Sequence, residues 1–326
     1  ESAVEQAALS WLAELGYTIL HGPDIAPGMP LAEREDYAQP ILVGRLREAL
    51  ARLNPDLPAE ARDEALRQVL TPQSPSLLAN NRAFHRMLVE GVAVEYRHAD
   101  GTLRGDRVRL ADFDDPAAND WLAVNQYTVT DGPHNRRADI VLLLNGLPLA
   151  VIELKNPADE KATIWTAFNQ LQTYKAQVPA LFVTNEALVI SDGAGARLGT
   201  LSADRERFMP WRTVEGDAPA PATALQLEVL LRGAFARGRF LDLLRYYIVF
   251  EDEGGGKLVK KMAGYHQFHA VRRAVETTLR AASPGGDRRC GVVWHTQGSG
   301  KSLTMAFYAG RVILRPEMAR FYLVLS

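Results

Sequence analysis

A single cysteine, Cys290, stands among the 326 residues. No internal disulfide framework can form, and no cysteine-based zinc site is available, which fits a reducing cytoplasm. The seven histidines show no paired metal-ligand spacing. No stretch approaches the roughly 18 to 20 apolar residues that span a bilayer, and the chain opens on Glu1 and Glu5 without a basic leader region. Neither membrane insertion nor secretion is expected, and the localisation expected is cytoplasmic. Charge of one sign is lacking too: the net charge of −2 offers no global attraction to nucleic acid. Any such contact must come from a local patch, for which the candidates are Arg205, Arg207 and Arg212, or Lys257, Lys260 and Lys261. Internal repeats and long low-complexity tracts are absent.

What is present is an ordinary globular composition, 47% hydrophobic and 23% charged, in a chain long enough for two domains at about 150 residues each. Apolar residues at 4, 8, 11, 12 and 15 predict a first helix from Ala3 to Leu15, stopped by Gly16. Further helix is expected over 38–70, with proline interruptions, and over 80–90. From Val92 the pattern changes to short β-rich runs: Val92 to Tyr96, Val108 to Leu110, Ala123 to Thr130, Ala138 to Leu144 and Leu149 to Lys155. Helical spacing returns over 160–176, followed by strands at Leu181 to Thr184, Leu188 to Ser191 and Leu198 to Leu201. The Pro- and Ala-rich stretch from Val214 to Ala224 reads as linker, with a helix after it from Leu225 to about Tyr247. Gly254-Gly255-Gly256 reads as a flexible joint. Helix 263–280, a strand at 290–294, a glycine-rich loop, a helix from Lys301 to about 314 and a strand from Phe321 to Leu325 complete the pattern.

The most informative stretch runs from Asp139 through Asn145-Gly146 to Glu153-Leu154-Lys155. Residues two apart on a strand share a face, so Glu153 and Lys155 project together. Asp139 lies on the preceding strand of a hairpin. A plain two-residue Asn145-Gly146 turn would set Asp139 opposite Ile152 and place the two acids on opposite faces. A three-residue loop over Leu144, Asn145 and Gly146 sets Asp139 opposite Val151, with Glu153 its diagonal neighbour on the same face. An odd-length loop or a bulge is therefore expected. Two converging carboxylates repel unless a cation neutralises them, and hard oxygen donors suit Mg²⁺. Asp139 and Glu153 are the candidate metal ligands, and Lys155 the candidate group that orients a water or stabilises charge on a phosphate.

This set resembles the PD-(D/E)xK nuclease superfamily, in which an acid lies one strand before Glu-x-Lys; here Ala138 stands where such nucleases often have proline. A subset of that superfamily carries Gln-x-x-x-Tyr on the following helix, matched by Gln170 and Tyr174, which share a helix face. The resemblance also implies an acid from the first helix. Glu5 lies at the edge of that helix's buried side, open to a role as third metal or water ligand or simply as a first-turn carboxylate favouring the helix dipole.

Cys290 to Trp294 followed by His295-Thr296-Gln297-Gly298-Ser299-Gly300-Lys301-Ser302 gives strand, glycine-rich loop and helix start, the setting of a phosphate-binding loop. Gly298, Ser299 and Gly300 would turn backbone amides toward the phosphates of ATP. Lys301 would reach the β and γ phosphates, and the Ser302 hydroxyl would ligate Mg²⁺. Upstream, Gly264-Tyr265-His266-Gln267-Phe268 looks like the adenine-reading glutamine motif of superfamily 2 helicases, with Gln267 able to donate to and accept from the base edge.

In this order the motifs resemble the R subunit of type I restriction-modification enzymes. Asn81-Arg82-Ala83-Phe84-His85 and Asp192-Gly193-Ala194 also look like that family. The fold implied is α/β: a PD-(D/E)xK domain over 1–215 with a central mixed sheet flanked by helices, a linker and connecting helix over 216–256, and the beginning of a RecA-like P-loop motor over 257–326. The function implied is ATP-dependent cleavage and translocation of double-stranded DNA with Mg²⁺ and ATP, in complex with modification and specificity subunits. Such a motor also needs an acidic motif, arginine fingers and a second lobe, expected beyond Ser326, so these 326 residues alone are expected not to turn over ATP. Two other readings stand beside this one. The first is a different nuclease-motor fusion, although type III restriction subunits usually place the nuclease after the motor; the second is a non-catalytic DNA-binding or assembly module.

Overall fold

Apolar periodicity sets the first elements of the computed structural model, which describes residues 3–98, 101–156, 163–294, 296–315 and 318. Helix α1 (Ala3–Glu14) buries Ala8 and Leu12, and Gly16 ends it with a positive φ of 88°. Then come β1 (Thr18–His21), α2 (Val43–Leu53), α3 (Ala59–Leu70) and α4 (Leu77–Glu90). The β-rich stretch forms β2 (Val92–Arg97), β3 (Leu103–Val108), β4 (Trp121–Asp131), β5 (His134–Leu144) and β6 (Leu147–Leu154). Helix α5 (Ile164–Gln177) starts at the Thr163 cap, and β7 (Ala187–Ser191) and β8 (Ala196–Gly199) follow it.

The main sheet has six strands in the order β1-β4-β5-β6-β7-β8. The pairs β1–β4 and β6–β7 are parallel and the other three antiparallel, so the sheet is mixed as expected. All eight residues of β6 are buried, because helices cover both faces of the sheet. One face packs Ile140, Leu142 and Ile152 against α1 and α4; the other packs Val141 and Val151 against Ala167 and Leu171 of α5.

Several local expectations change. Thr18–His21, too short to show a period, is an edge strand parallel to β4. Leu181 to Thr184, expected as a strand, begins instead inside a short 3₁₀ turn (Pro179–Phe182), where Pro179 has no N–H to give a ladder. The single helix expected over 225–247 is two, α6 (Gln226–Ala234) and α7 (Arg237–Tyr246), broken where Phe235 turns into the core against Phe240. The segment 216–256, expected as linker and connecting helix, thus contributes Leu230, Leu231, Phe240 and Leu244 to the same buried cluster as α1. The glycine run 254–256 is the turn of a hairpin between β9 (Ile248–Asp252) and β10 (Leu258–Met262), which the sequence reading missed. Helix α8 (Tyr265–Ala282) and α9 (Lys301–Ile313) close the described chain.

Of the two basic patches considered, Lys257-Lys260-Lys261 does not exist as one. Lys260 is fully buried, while Arg205, Arg207 and Arg212 are exposed. Residues 290–294 carry no strand: Val292 is 90% and Trp294 89% exposed, because no strand among the described residues lies beside them to complete a ladder. The strand expected from Phe321 to Leu325 lies outside the described residues.

Candidate active site

The hairpin β5–β6 carries the site, and its register decides whether there is one. The turn has two residues: Asn145 at φ 52° and Gly146 at φ 80° fit a primed turn. Gly146 is required for space as well, since a Cβ would come within 2.5 Å of the Leu42 carbonyl oxygen. Next to the turn Leu144 pairs with Leu147 and Leu143 with Pro148, but Leu142 pairs with Ala150. Leu149 is therefore an extra residue on β6, beside a proline that cannot serve the ladder. Leu149 and Ala150 consequently pack into the same core although they are consecutive.

The bulge moves the rest of the hairpin by one position. Val141 pairs with Val151 and Ile140 with Ile152, which brings Asp139 opposite Glu153. The three-residue loop and the Asp139–Val151 pairing expected from the sequence are thus corrected, while the bulge, the other route to a common face, is what the chain uses. Without it both carboxylates could not face α5.

Hydrogen bonds then lock the cluster. Asp139 Oδ2 accepts from the Leu154 backbone N–H at 2.7 Å. Lys155 Nζ donates to Glu153 Oε1 at 2.8 Å and to Gln170 Oε1 at 2.5 Å. The Gln170 amide donates to the Tyr174 hydroxyl at 2.5 Å, and that hydroxyl donates to the Arg137 carbonyl at 3.0 Å. Gln170 and Tyr174 thereby join Glu153 and Lys155 through one chain of contacts, as their helical spacing allows.

Electrostatics marks the two acids. Burial, then the neighbouring Asp139 carboxylate, pushes Glu153 up to about 8 against the pull of Lys155. Burial also raises Asp139, opposed by the Leu154 N–H and by Lys155. Tyr174 is pushed up to about 12, chiefly by burial. Glu153 Oε2 is buried without a hydrogen-bond partner. Two carboxylates side by side, one with an unpartnered oxygen, fit a hard divalent cation.

Glu5 sits one strand away. It is buried, and one of its oxygens accepts from Asn125 and Gln126, both at 2.9 Å. Its charge reaches Asp139, yet among the described residues no three His, Cys, Asp or Glu side chains converge on one point. The sequence reading missed Asn125 and Gln126. The available signal was a polar pair interrupting the apolar run of β4, and Gln126 takes a positive φ of 54° across from Asp139.

In the second cluster, Gly298 and Gly300 adopt positive φ of 80° and 76°, and α9 begins at Lys301. Lys301 and Ser302 are exposed there, and Lys301 Nζ donates to the Thr296 carbonyl at 3.3 Å. The Gln267 amide donates to the Gly300 carbonyl at 3.0 Å, while its oxygen accepts from the Gly264 N–H at 3.0 Å. Gln267 and the loop residues Gly298, Ser299 and Gly300 line one cavity of about 210 Å³, whose far wall includes Met209 and Trp211.

Residues 1–207 match the family described as the type I restriction enzyme R protein N terminus, and residues 266–325 match the SWI2/SNF2 ATPase family. A type I restriction enzyme HindI endonuclease subunit of Haemophilus influenzae is 42% identical over 98% of this chain and 30% of its own length. A putative type I restriction enzyme MjaIXP endonuclease subunit of Methanocaldococcus jannaschii is 32% identical over 97% of the chain and 31% of its own length. A Staphylococcus aureus type I endonuclease subunit matches at 28% over 61% of the chain. The chain thus spans about three-tenths of the first two relatives. With its site on the β5–β6 hairpin inside the matched region, this chain belongs to the family of type I restriction enzyme R proteins.

Proposed function

We propose that the chain carries the nuclease site and the phosphate-binding loop of a type I restriction R subunit. In this reading the subunit cleaves double-stranded DNA, using Mg²⁺, in assembly with modification and specificity subunits, while an ATP-driven motor translocates the duplex; the setting is the cytoplasm. The observation that supports it most is the bulged register that sets Asp139 against Glu153 beside Lys155.

Asp139 and Glu153 would hold the metal ion, with Glu5 close enough to add its charge. A bound Mg²⁺ supplies polarisation of the scissile phosphate and a more acidic water. Lys155, clamped between Glu153 and Gln170, presents its ammonium in one orientation, suited to a water nucleophile or to charge developing on phosphate oxygen. Tyr174 holds the Gln170 amide so that its oxygen, not its nitrogen, faces the lysine. In the motor segment the amides of Gly298, Ser299 and Gly300, the Lys301 ammonium and the Ser302 hydroxyl would take the triphosphate of ATP and its Mg²⁺. Gln267, whose amide is engaged by Gly264 and Gly300, would tie the glutamine motif to that loop.

The test is single-turnover DNA cleavage by the assembled enzyme. Asp139→Ala and Lys155→Ala are each expected to lower the cleavage rate by about 10²- to 10³-fold, on the scale of removing one electrostatic group from a reaction centre, with ATP hydrolysis retained. Cleavage at the unmodified rate by both variants would leave a non-catalytic DNA-binding module as the better account.

A further inference from the structure

The nuclease site poses an electrostatic problem for its own substrate. Asp139 lies beside the Glu153 carboxylate and feels the charge of Glu5, against the ammonium of Lys155. The net charge of −2 provides no compensating field, and a DNA strand brings one negative charge per phosphate. Binding next to such a centre calls for fixed positive charge at the cleft itself.

The cleft contains it. Arg137 lies two residues before Asp139 on β5, next to the catalytic acid along the strand. It lines the same cleft as Asp139, Gln170 and Tyr174. Its backbone is pinned, because the carbonyl accepts the Tyr174 hydroxyl at 3.0 Å, yet its side chain is exposed. Among the described residues the Arg137 guanidinium makes no hydrogen bond, ion pair or ring contact. The neighbouring Arg136 is different: its Nε donates to Gln177 Oε1 at 2.6 Å, which commits it to the packing of α5. On the α5 side, Asn169 lines the cleft, and its amide oxygen accepts from Arg205, which lies over the Trp165 ring at 5.5 Å.

We propose that Arg137 is the substrate anchor of the nuclease site, its fork of N–H donors gripping a backbone phosphate of the strand being cut, with Arg205 holding the flanking backbone across Asn169. The proposal rests on the nuclease reading above and deepens it. A guanidinium suits the task because it remains charged at every working pH and presents paired donors to phosphate oxygens. A backbone pinned by Tyr174 beneath a free side chain keeps the reach to the acids short while leaving the head group available. Such a contact is indifferent to base sequence, because phosphate contacts position a duplex without reading its bases.

The experiment compares Arg137→Ala, Arg137→Lys and Arg137→Glu in the assembled enzyme, by single-turnover cleavage of plasmid DNA at 50 and 200 mM salt, each rate taken relative to the unmodified enzyme at the same salt. Arg137→Ala is expected to lose about tenfold or more at 50 mM salt, as for a lost charged hydrogen bond, with a smaller loss at 200 mM, because one phosphate contact fewer lowers the dependence on salt. Arg137→Lys should recover part of that rate, as charge without the paired donors, and Arg137→Glu should fall below Arg137→Ala, with the melting temperature of the chain unchanged in all three. Equal cleavage by Arg137→Ala and the unmodified enzyme at both salts would overturn the anchor, as would an Arg137→Glu variant that cleaves as fast as Arg137→Ala. Asp139→Ala, run alongside, separates the two readings: if it too cleaves normally, the nuclease assignment fails, and not the anchor alone.

Discussion

Among the described residues, two glutamate–lysine pairs with a buried glutamate lie at nearly the same separation, 2.8 Å for Glu153–Lys155 and 2.6 Å for Glu186–Lys260, and they do opposite things. Each glutamate leaves one buried oxygen without a partner, so an orphan oxygen alone does not mark a site. The neighbours make the difference. Lys260 has all three donors engaged, by Glu186, by the Asn81 side chain at 2.9 Å and by the Asn185 carbonyl at 2.8 Å. Burial alone would raise Glu186, but Lys260 and His85 outweigh it and hold the carboxyl below its ordinary range. Glu153 faces one cation and a second carboxylate, and its pKa rises. The Glu186–Lys260 pair is a lock joining α4, the loop before β7 and the β9–β10 hairpin; the Glu153–Lys155 pair is an arrangement left short of positive charge beside a cleft.

The comparison breaks most visibly at the lock. Lys260→Met strands a buried carboxylate and is expected to cost about 3 to 5 kcal/mol in chemical denaturation, whereas Lys260→Met combined with Glu186→Leu should regain most of it. A loss below about 1 kcal/mol for the single variant would remove the distinction drawn here.

At the site, Glu153 has a folded pKa of about 8, above its ordinary value of 4.5. The sign follows: below about pH 4.5 the proton is bound in both folded and unfolded chains, and the stability linked to it is fully present. That stability falls as pH rises through about 8, on the order of 1.4 kcal/mol per pH unit within the window. Denaturation in chelator from pH 5 to 9 should show this slope, and Glu153→Gln should flatten it while abolishing cleavage. A Glu153→Gln protein that keeps the full slope would assign the proton elsewhere.

The smallest effect expected concerns the helix that brings Gln170 to Lys155. Thr163 caps α5, with its hydroxyl accepting from the Trp165 N–H at 3.3 Å. Thr163→Ala should cost about 1 kcal/mol by thermal unfolding. A much larger loss would mean that the cap orders more than the first turn of α5.

Legibility followed the range of the forces involved. Helices α1, α8 and α9 and strands β4 to β7 were readable because amphipathic spacing is a local property. The Glu153–Lys155 face was readable because alternation along one strand is local too. The bulge was legible only as a need: chemistry demanded a common face for Asp139 and Glu153, and the chain met that need by inserting Leu149 instead of lengthening the turn. Strand β1 was too short to show a period. Residues 290–294 had the right composition for a strand, yet no neighbour among the described residues pairs with them. Lys260 looked like surface, since a buried lysine is recognisable only through Glu186 and Asn81, 74 and 179 residues away.

Sequence by itself determined the local vocabulary: the acid-x-lysine strand, the Asn-Gly turn, the glutamine and tyrosine one helical turn apart, and the glycine-rich loop before Lys301. Tertiary structure alone decided which of two lysines is sealed in the core, how the hairpin slips by one residue, and how far Glu153 is withdrawn from water. Periodicity records which face a side chain takes on its own element, whereas register and burial are set by partners far along the chain.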